Sequence, residues 1–67
     1  MNTQTVRVSF NYNHGGALKL SDLDLSNIPA KGDIVRISGV RHIVRKREFW
    51  IDHGMIDYVE LHLDEAN

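Results

Sequence analysis

The stretch Asp57-Tyr58-Val59-Glu60-Leu61-His62-Leu63-Asp64 decides the fold. Val59, Leu61 and Leu63 fall on one side of an extended chain, and Tyr58, Glu60, His62 and Asp64 fall on the other. A period of two predicts a strand with one face in a core. Immediately upstream, Asp52-His53-Gly54-Met55 has the glycine of a tight turn, so His42 to Ile51 is the predicted partner strand of a hairpin. That partner is irregular. Ile43, Phe49 and Ile51 mark one face, Val44 and Trp50 the other, and the polar run Arg45-Lys46-Arg47-Glu48 lies between them. Such a pattern needs a bend or bulge in the run, or cover on both faces.

Working outward, Gly39-Val40-Arg41 turns the chain, and Ile34 to Ser38 is a short β-branched strand with Val35 and Ile37 on one face. Before it stands the clearest punctuation, Ser26 to Asp33, where Pro29 fixes φ and Gly32 permits a turn. At the other end, Val6, Val8, Phe10 and Tyr12 alternate with Thr5, Arg7, Ser9 and Asn11, and Asn13-His14-Gly15-Gly16 predicts a hairpin turn. The return segment Ala17 to Leu25 slips: Leu18 and Leu20 are even-numbered, Leu23 and Leu25 odd-numbered. A bulge or break near Ser21-Asp22 would restore one face, and a single helical turn is the competing reading. Residues 64–67 read as a frayed tail. The expected fold is all-β, one domain over residues 1–67, built as a small five-stranded, strongly twisted antiparallel sheet that curls into a small barrel.

With 67 residues the chain holds one small core, and the absence of cysteine excludes disulfides and thiolate metal sites. A net charge of −1 gives no overall attraction to nucleic acid or to an anionic membrane. No apolar run approaches the roughly 20 residues that cross a bilayer. Met1 to Thr5 lacks the basic and apolar parts of a secretory signal, which predicts a cytoplasmic protein.

The segment Ile28-Pro29-Ala30-Lys31-Gly32-Asp33-Ile34-Val35, the Gly39 turn, and the strand ending at Trp50 resemble small phage and mobile-element proteins with a Pro-x-x-Gly-Asp-x-Val pattern. Similar turns open strands in SH3-like barrels. The likeness covers roughly the last 40 residues and is one of turns and strands, not of catalytic groups. His42 departs from the Tyr such proteins often carry there. The resemblance implies a small barrel encoded by a phage or mobile element, and by analogy of type an inhibitor of a host defence system, the anti-CRISPR proteins included. It implies no functional residues.

Charge is segregated along the chain. Arg36, Arg41, Arg45, Lys46 and Arg47 lie within one predicted hairpin, and Glu48, Asp52, Asp57, Glu60, Asp64 and Glu65 follow it. One reading is a basic patch beside Phe49 and Trp50 that holds phosphates and stacks a base. The favoured reading is that these charges pair across neighbouring strands. A third uses the asymmetry to orient a protein partner, with Trp50 and Tyr58 as aromatic anchors, against the plainer alternative that Trp50 is core.

Other chemistry finds little support. The histidines 14, 42, 53 and 62 do not form a compact ligand motif, so neither a metal nor any other cofactor is expected. His62 and Asp64 share an outward strand face, which by itself is no site. Asp22-Leu23-Asp24-Leu25-Ser26 lacks the glycine and glutamate of a calcium loop. The serines lack a nucleophile elbow, and no enzyme is expected. The function expected is non-enzymatic binding of a protein partner. The candidate residues are Arg36, Arg41, Arg45, Lys46, Arg47, Trp50 and Tyr58. A nucleic-acid-binding module and a homodimeric structural or regulatory subunit are the alternatives.

Overall fold

The computed structural model describes residues 4–12 and 19–66. The chain forms five strands: β1 (Thr5–Tyr12), β2 (Lys19–Asp24), β3 (Ile34–Ile37), β4 (Val40–Asp52) and β5 (Met55–Glu65). The sole helical element among the described residues is a three-residue 3-10 turn, Leu25–Asn27. Among the described residues no helix is long and apolar enough to cross a membrane. The strands form one sheet in the order β2-β1-β5-β4-β3, curled into a half-barrel.

The all-β, five-stranded expectation holds, with a difference in one pairing. β1 lies parallel to β5, while β1–β2, β3–β4 and β4–β5 are antiparallel, so the sheet is mixed. Alternation specifies which face a side chain takes and is the same for either strand direction. The parallel pair therefore leaves no mark in the pattern.

Curling follows from the connection between the edges. Residues 25–33 run from β2 at one edge to β3 at the other. In a flat sheet those edges would be about 19 Å apart, four inter-strand spacings of roughly 4.8 Å. The connection spends its length on the 3-10 turn and on a turn at Ala30–Asp33, closed by Asp33 N donating to Ala30 O at 2.9 Å. In the same turn Ala30 N donates to the Asp33 carboxylate at 2.7 Å. The edges are thus drawn toward each other. Gly32 N donates to Val44 O at 2.8 Å and Val44 N to Asp33 O at 2.9 Å, which fastens the connection to the middle of β4. Ile28 drops into the core beneath it.

Cross-strand partners share a face, so the register reads out the layers directly. Phe49, Val59 and Val8 form one row, and Val44 stands opposite Leu63. Val6, Val8, Phe10, Ile28, Val44, Val59, Leu61 and Leu63 make the core, against which Leu23, Val35, Ile37 and Ile56 pack, while Phe49 stays partly exposed at the end of its row.

The irregularity of β4 is a bulge at Arg45, where the register shifts between Val44 and Lys46. It exchanges the faces: Val44 before it and Phe49 after it both point coreward, while Ile43 pairs with Asp64 on the opposite face. A second shift falls between Trp50 and Ile51. By contrast, the break expected near Ser21-Asp22 is not there. The β1–β2 register runs unbroken from Thr5↔Asp24 to Phe10↔Lys19. Leu23 packs inward, and Leu25 leaves the strand in the 3-10 turn. The expected hairpin turn at 13–16 lies outside the described residues.

β5 continues to Glu65, into the stretch expected to fray, and Ala66 N donates to Arg41 O at 2.9 Å. The β3–β4 turn falls one residue earlier than expected, at Ser38-Gly39. Both two-residue turns have left-handed centres: Ser38 (φ 51) with Gly39 (φ 82), and His53 (φ 52) with Gly54 (φ 74). Two positive φ values match the twist of a hairpin, and Asn and Asp are the non-glycine residues best suited to the first of them. Replacing His53 with Asn should therefore stabilise the domain by about 0.5 kcal/mol, raising Tm by roughly 2–4 °C in a thermal melt. A lower Tm would mean that the 3.6 Å approach of His53 to Asp52 outweighs the backbone preference.

Candidate functional site

The sheet face opposite the core is built from three cross-strand rows. Lys46 stands opposite His62, and His62 beside Asn11; Glu48 stands opposite Glu60, and Glu60 beside Ser9; Trp50 stands opposite Tyr58. The Arg45 bulge puts these side chains together, because it shifts Lys46, Glu48 and Trp50 onto the face of His62, Glu60 and Tyr58.

Trp50 and Tyr58 stack with ring centroids 5.3 Å apart and planes 11° from parallel. Trp50 remains 44% exposed, so the chain's single tryptophan is a surface residue and not core. Around the hairpin tip Phe49 is 40%, Ile51 65% and Met55 71% exposed. Phe49 and Ile51 have core-side parity and the Trp50–Tyr58 stack lies on the outer face, so the end of this hairpin exposes large apolar side chains on both faces, as an interaction element does. Isolated ones would need no explanation.

The row beside the aromatic pair is anionic. Glu48 and Glu60 face each other directly, an arrangement that a sheet penalises. Each carboxylate is held by one neighbour: His62 Nε2 donates to Glu48 Oε1 at 3.0 Å, and Asn11 Nδ2 to Glu60 Oε2 at 2.8 Å. Neither glutamate has a Lys or Arg ion-pair partner among the described residues. Partial burial, followed by the charges of Glu60, Asp57 and Glu48, raises the Tyr58 phenol above its ordinary value. The aromatic pair thus sits in a negative field.

Glu48, Glu60 and His62 also bring three possible ligand atoms within 4.8 Å of one another, a set of the kind that can hold a divalent cation. Spacing along the chain gives no warning of this trio. It sets His62 beside Asp64, whereas the operative neighbours of His62 are Glu60, two residues earlier, and Glu48 on the next strand. The β4–β5 register alone unites them.

The basic candidates separate. Arg45 pairs with Asp64 at 3.5 Å. Arg47 stands opposite Leu61 on the core side, yet its guanidinium reaches the rim, where Nη1 donates to Ile28 O at 3.4 Å and Cζ lies 5.2 Å from the Phe49 ring centroid. It ties β4 to the connection at Ile28 and covers Phe49. Arg36 stands opposite Arg41, cation against cation.

Pairing of bases with the downstream acids, the favoured reading of the charge pattern, is therefore realised for Arg45 alone among these five residues within the described structure. Lys31, Arg45, Lys46 and Arg47 instead line an open depression beside Ala30. The face runs from cationic at Arg36, Arg41 and Lys46 to anionic and aromatic at Glu48, Glu60, Trp50 and Tyr58.

Comparison of the chain with known protein families, with curated proteins and with solved structures found no match.

Proposed function

We propose that the protein is a non-enzymatic binding module that engages a protein partner through the β4–β5 hairpin, with Trp50 and Tyr58 at the centre of the contact. The exposed Trp50–Tyr58 stack on the outer face, with Met55 exposed at the turn beside it, carries this reading. Trp, Tyr and Met are residue types enriched at interface centres, and a rigid aromatic pair contributes area at low entropic cost. The polarity of the face, basic at one end and acidic at the other, supplies orientation. A cytoplasmic inhibitor encoded by a phage or mobile element, as the turn pattern suggests, would need nothing more than such a face.

The test is affinity capture from bacterial lysate followed by reconstitution of the complex from purified components. A partner should bind the native protein and not the Trp50→Ala variant. Equal binding to both overturns the reading.

The basic depression favours a second reading, a phosphate-binding surface for nucleic acid, because Lys31 and Lys46 make no ion pair among the described residues. It predicts gel retardation of DNA or RNA at low salt, lost with Arg45→Ala/Lys46→Ala and falling steeply as salt rises. No retardation at low salt excludes it.

A further inference from the structure

The aromatic stack and the row beside it combine into something more specific than a sticky patch. Glu48 and Glu60 oppose each other across β4 and β5, and neither makes an ion pair with a Lys or Arg among the described residues. His62 occupies Oε1 of Glu48, and Asn11 occupies Oε2 of Glu60. One oxygen of each carboxylate is left without a hydrogen-bond partner among the described residues, and the two belong to facing strands. The next row along the same face is the Trp50–Tyr58 stack, about 7 Å away at two residues of strand rise. Like charges set directly opposite are a local cost that nothing in the core requires, and departures of this kind concentrate at functional positions.

We infer that this face is a receptor for an arginine side chain of the partner protein, its guanidinium bridging Glu48 and Glu60 and its stem lying along Trp50 and Tyr58. The inference rests on the protein-binding reading above and names the partner's chemistry. Charge complementarity argues for it: Glu48 and Glu60 form the row next to the aromatic pair, and their carboxylates and that of Asp57 act on the Tyr58 phenol. A guanidinium fits better than an ammonium. Its planar fork can donate to two carboxylate oxygens at once, and its face can lie against an aromatic ring. Lys46 and His62, in the row on the far side of the glutamates, restrict approach of the cation to the aromatic side.

The experiment is a titration of Trp50 emission, which reports the site alone because the chain has one tryptophan. The probes are a blocked Gly/Ser peptide carrying three arginines, the same peptide with lysine, the same with citrulline, and zinc or manganese chloride alone. The arginine peptide should bind saturably and more tightly than the lysine one. Citrulline should abolish the response, and Glu48→Gln/Glu60→Gln should weaken binding about tenfold or more. In that variant the amide oxygen at position 60 can still accept from Asn11, and removal of the like-charge pair keeps the chain folded, which circular dichroism checks.

Equal affinity for citrulline, or an unchanged constant in the double variant, overturns the inference. So does micromolar binding of either metal alone that His62→Asn removes, since the trio would then be a cation site. The two readings fail separately. A captured partner that needs Trp50 but is indifferent to Glu48→Gln/Glu60→Gln leaves the binding module standing and removes its arginine. A partner indifferent to Trp50 removes both.

Discussion

Leu61→Ala should remove about 2–5 kcal/mol of stability, a large share of what a chain of this length holds. Leu61 is 0% exposed in the middle of β5, the strand paired on both sides by β1 and β4. Its neighbours across the ladder are Phe10 on β1 and Arg47 on β4. Truncating a buried leucine costs about 2–5 kcal/mol, because the hydrophobic transfer energy is lost and the cavity collapses only in part. A domain of this length holds only about 3–10 kcal/mol in total, at 0.05–0.15 kcal/mol per residue.

Relaxation into the space is also limited. The rows above and below Leu61 are held by Val8–Val59–Phe49 and by Leu63–Val44, and no disulfide is available to limit the unfolded state. Urea denaturation followed by far-UV circular dichroism measures the loss. Leu25→Ala is the control: Leu25 is 37% exposed in the 3-10 turn, and its truncation should cost less than about 1 kcal/mol. A cooperative transition in Leu61→Ala within 1 kcal/mol of the native protein would show that the core is not where the β5 alternation places it.

That alternation is fully legible in the sequence, and the reason is physical. A half-buried strand must segregate its side chains by parity, so Val59, Leu61 and Leu63, like Val6, Val8 and Phe10, announce both the strand and its inner face. Hairpin turns are legible for a similar reason, since Gly39 and Gly54 stand where the backbone needs positive φ. Strand direction across the sheet is not, because the β1–β5 pair would show the same parity in either sense.

The site is legible only in part. Trp50 and Tyr58 flank a turn and are obvious anchors for testing, but whether they meet depends on register. The Arg45 bulge sets that register by adding one residue to β4, and the polar run Arg45-Lys46-Arg47-Glu48 announces an irregularity without fixing its position. One residue of slip would move Glu48 and Trp50 onto the core face. The same dependence explains why the order of charges along the chain overstates their pairing across strands. Composition shows bases followed by acids, whereas the ladder sets Arg36 against Arg41 and Glu48 against Glu60. Like faces like on both sides of the bulge, and the face becomes polarised instead of neutralised.

Trp50→Ala is expected to abolish partner binding while leaving the fold in place, and the separation of those two effects is what makes it informative. Trp50 lies on the face away from the core, so truncation opens no interior cavity. It removes the stack on Tyr58, worth about 0.5–1.5 kcal/mol. At the centre of an interface, loss of a tryptophan costs about 2–4 kcal/mol, which is roughly 30- to 1,000-fold in Kd. Calorimetry with the reconstituted partner and a parallel denaturation curve measure both quantities on one sample.

Trp50→Phe should recover part of the affinity, since a smaller ring can still lie over Tyr58. Met55→Ala, at the 71% exposed tip, should cost less than Trp50→Ala, because rim contacts exclude water more than they bind. If Trp50→Ala and Met55→Ala weaken binding equally, the contact is centred on the turn and not on the stack. If Trp50→Ala unfolds the domain, the aromatic pair belongs to the scaffold and the hairpin loses its claim as the binding face. Retained stability with lost affinity is the one outcome that assigns the Trp50–Tyr58 pair to recognition, because no residue of the buried core depends on it.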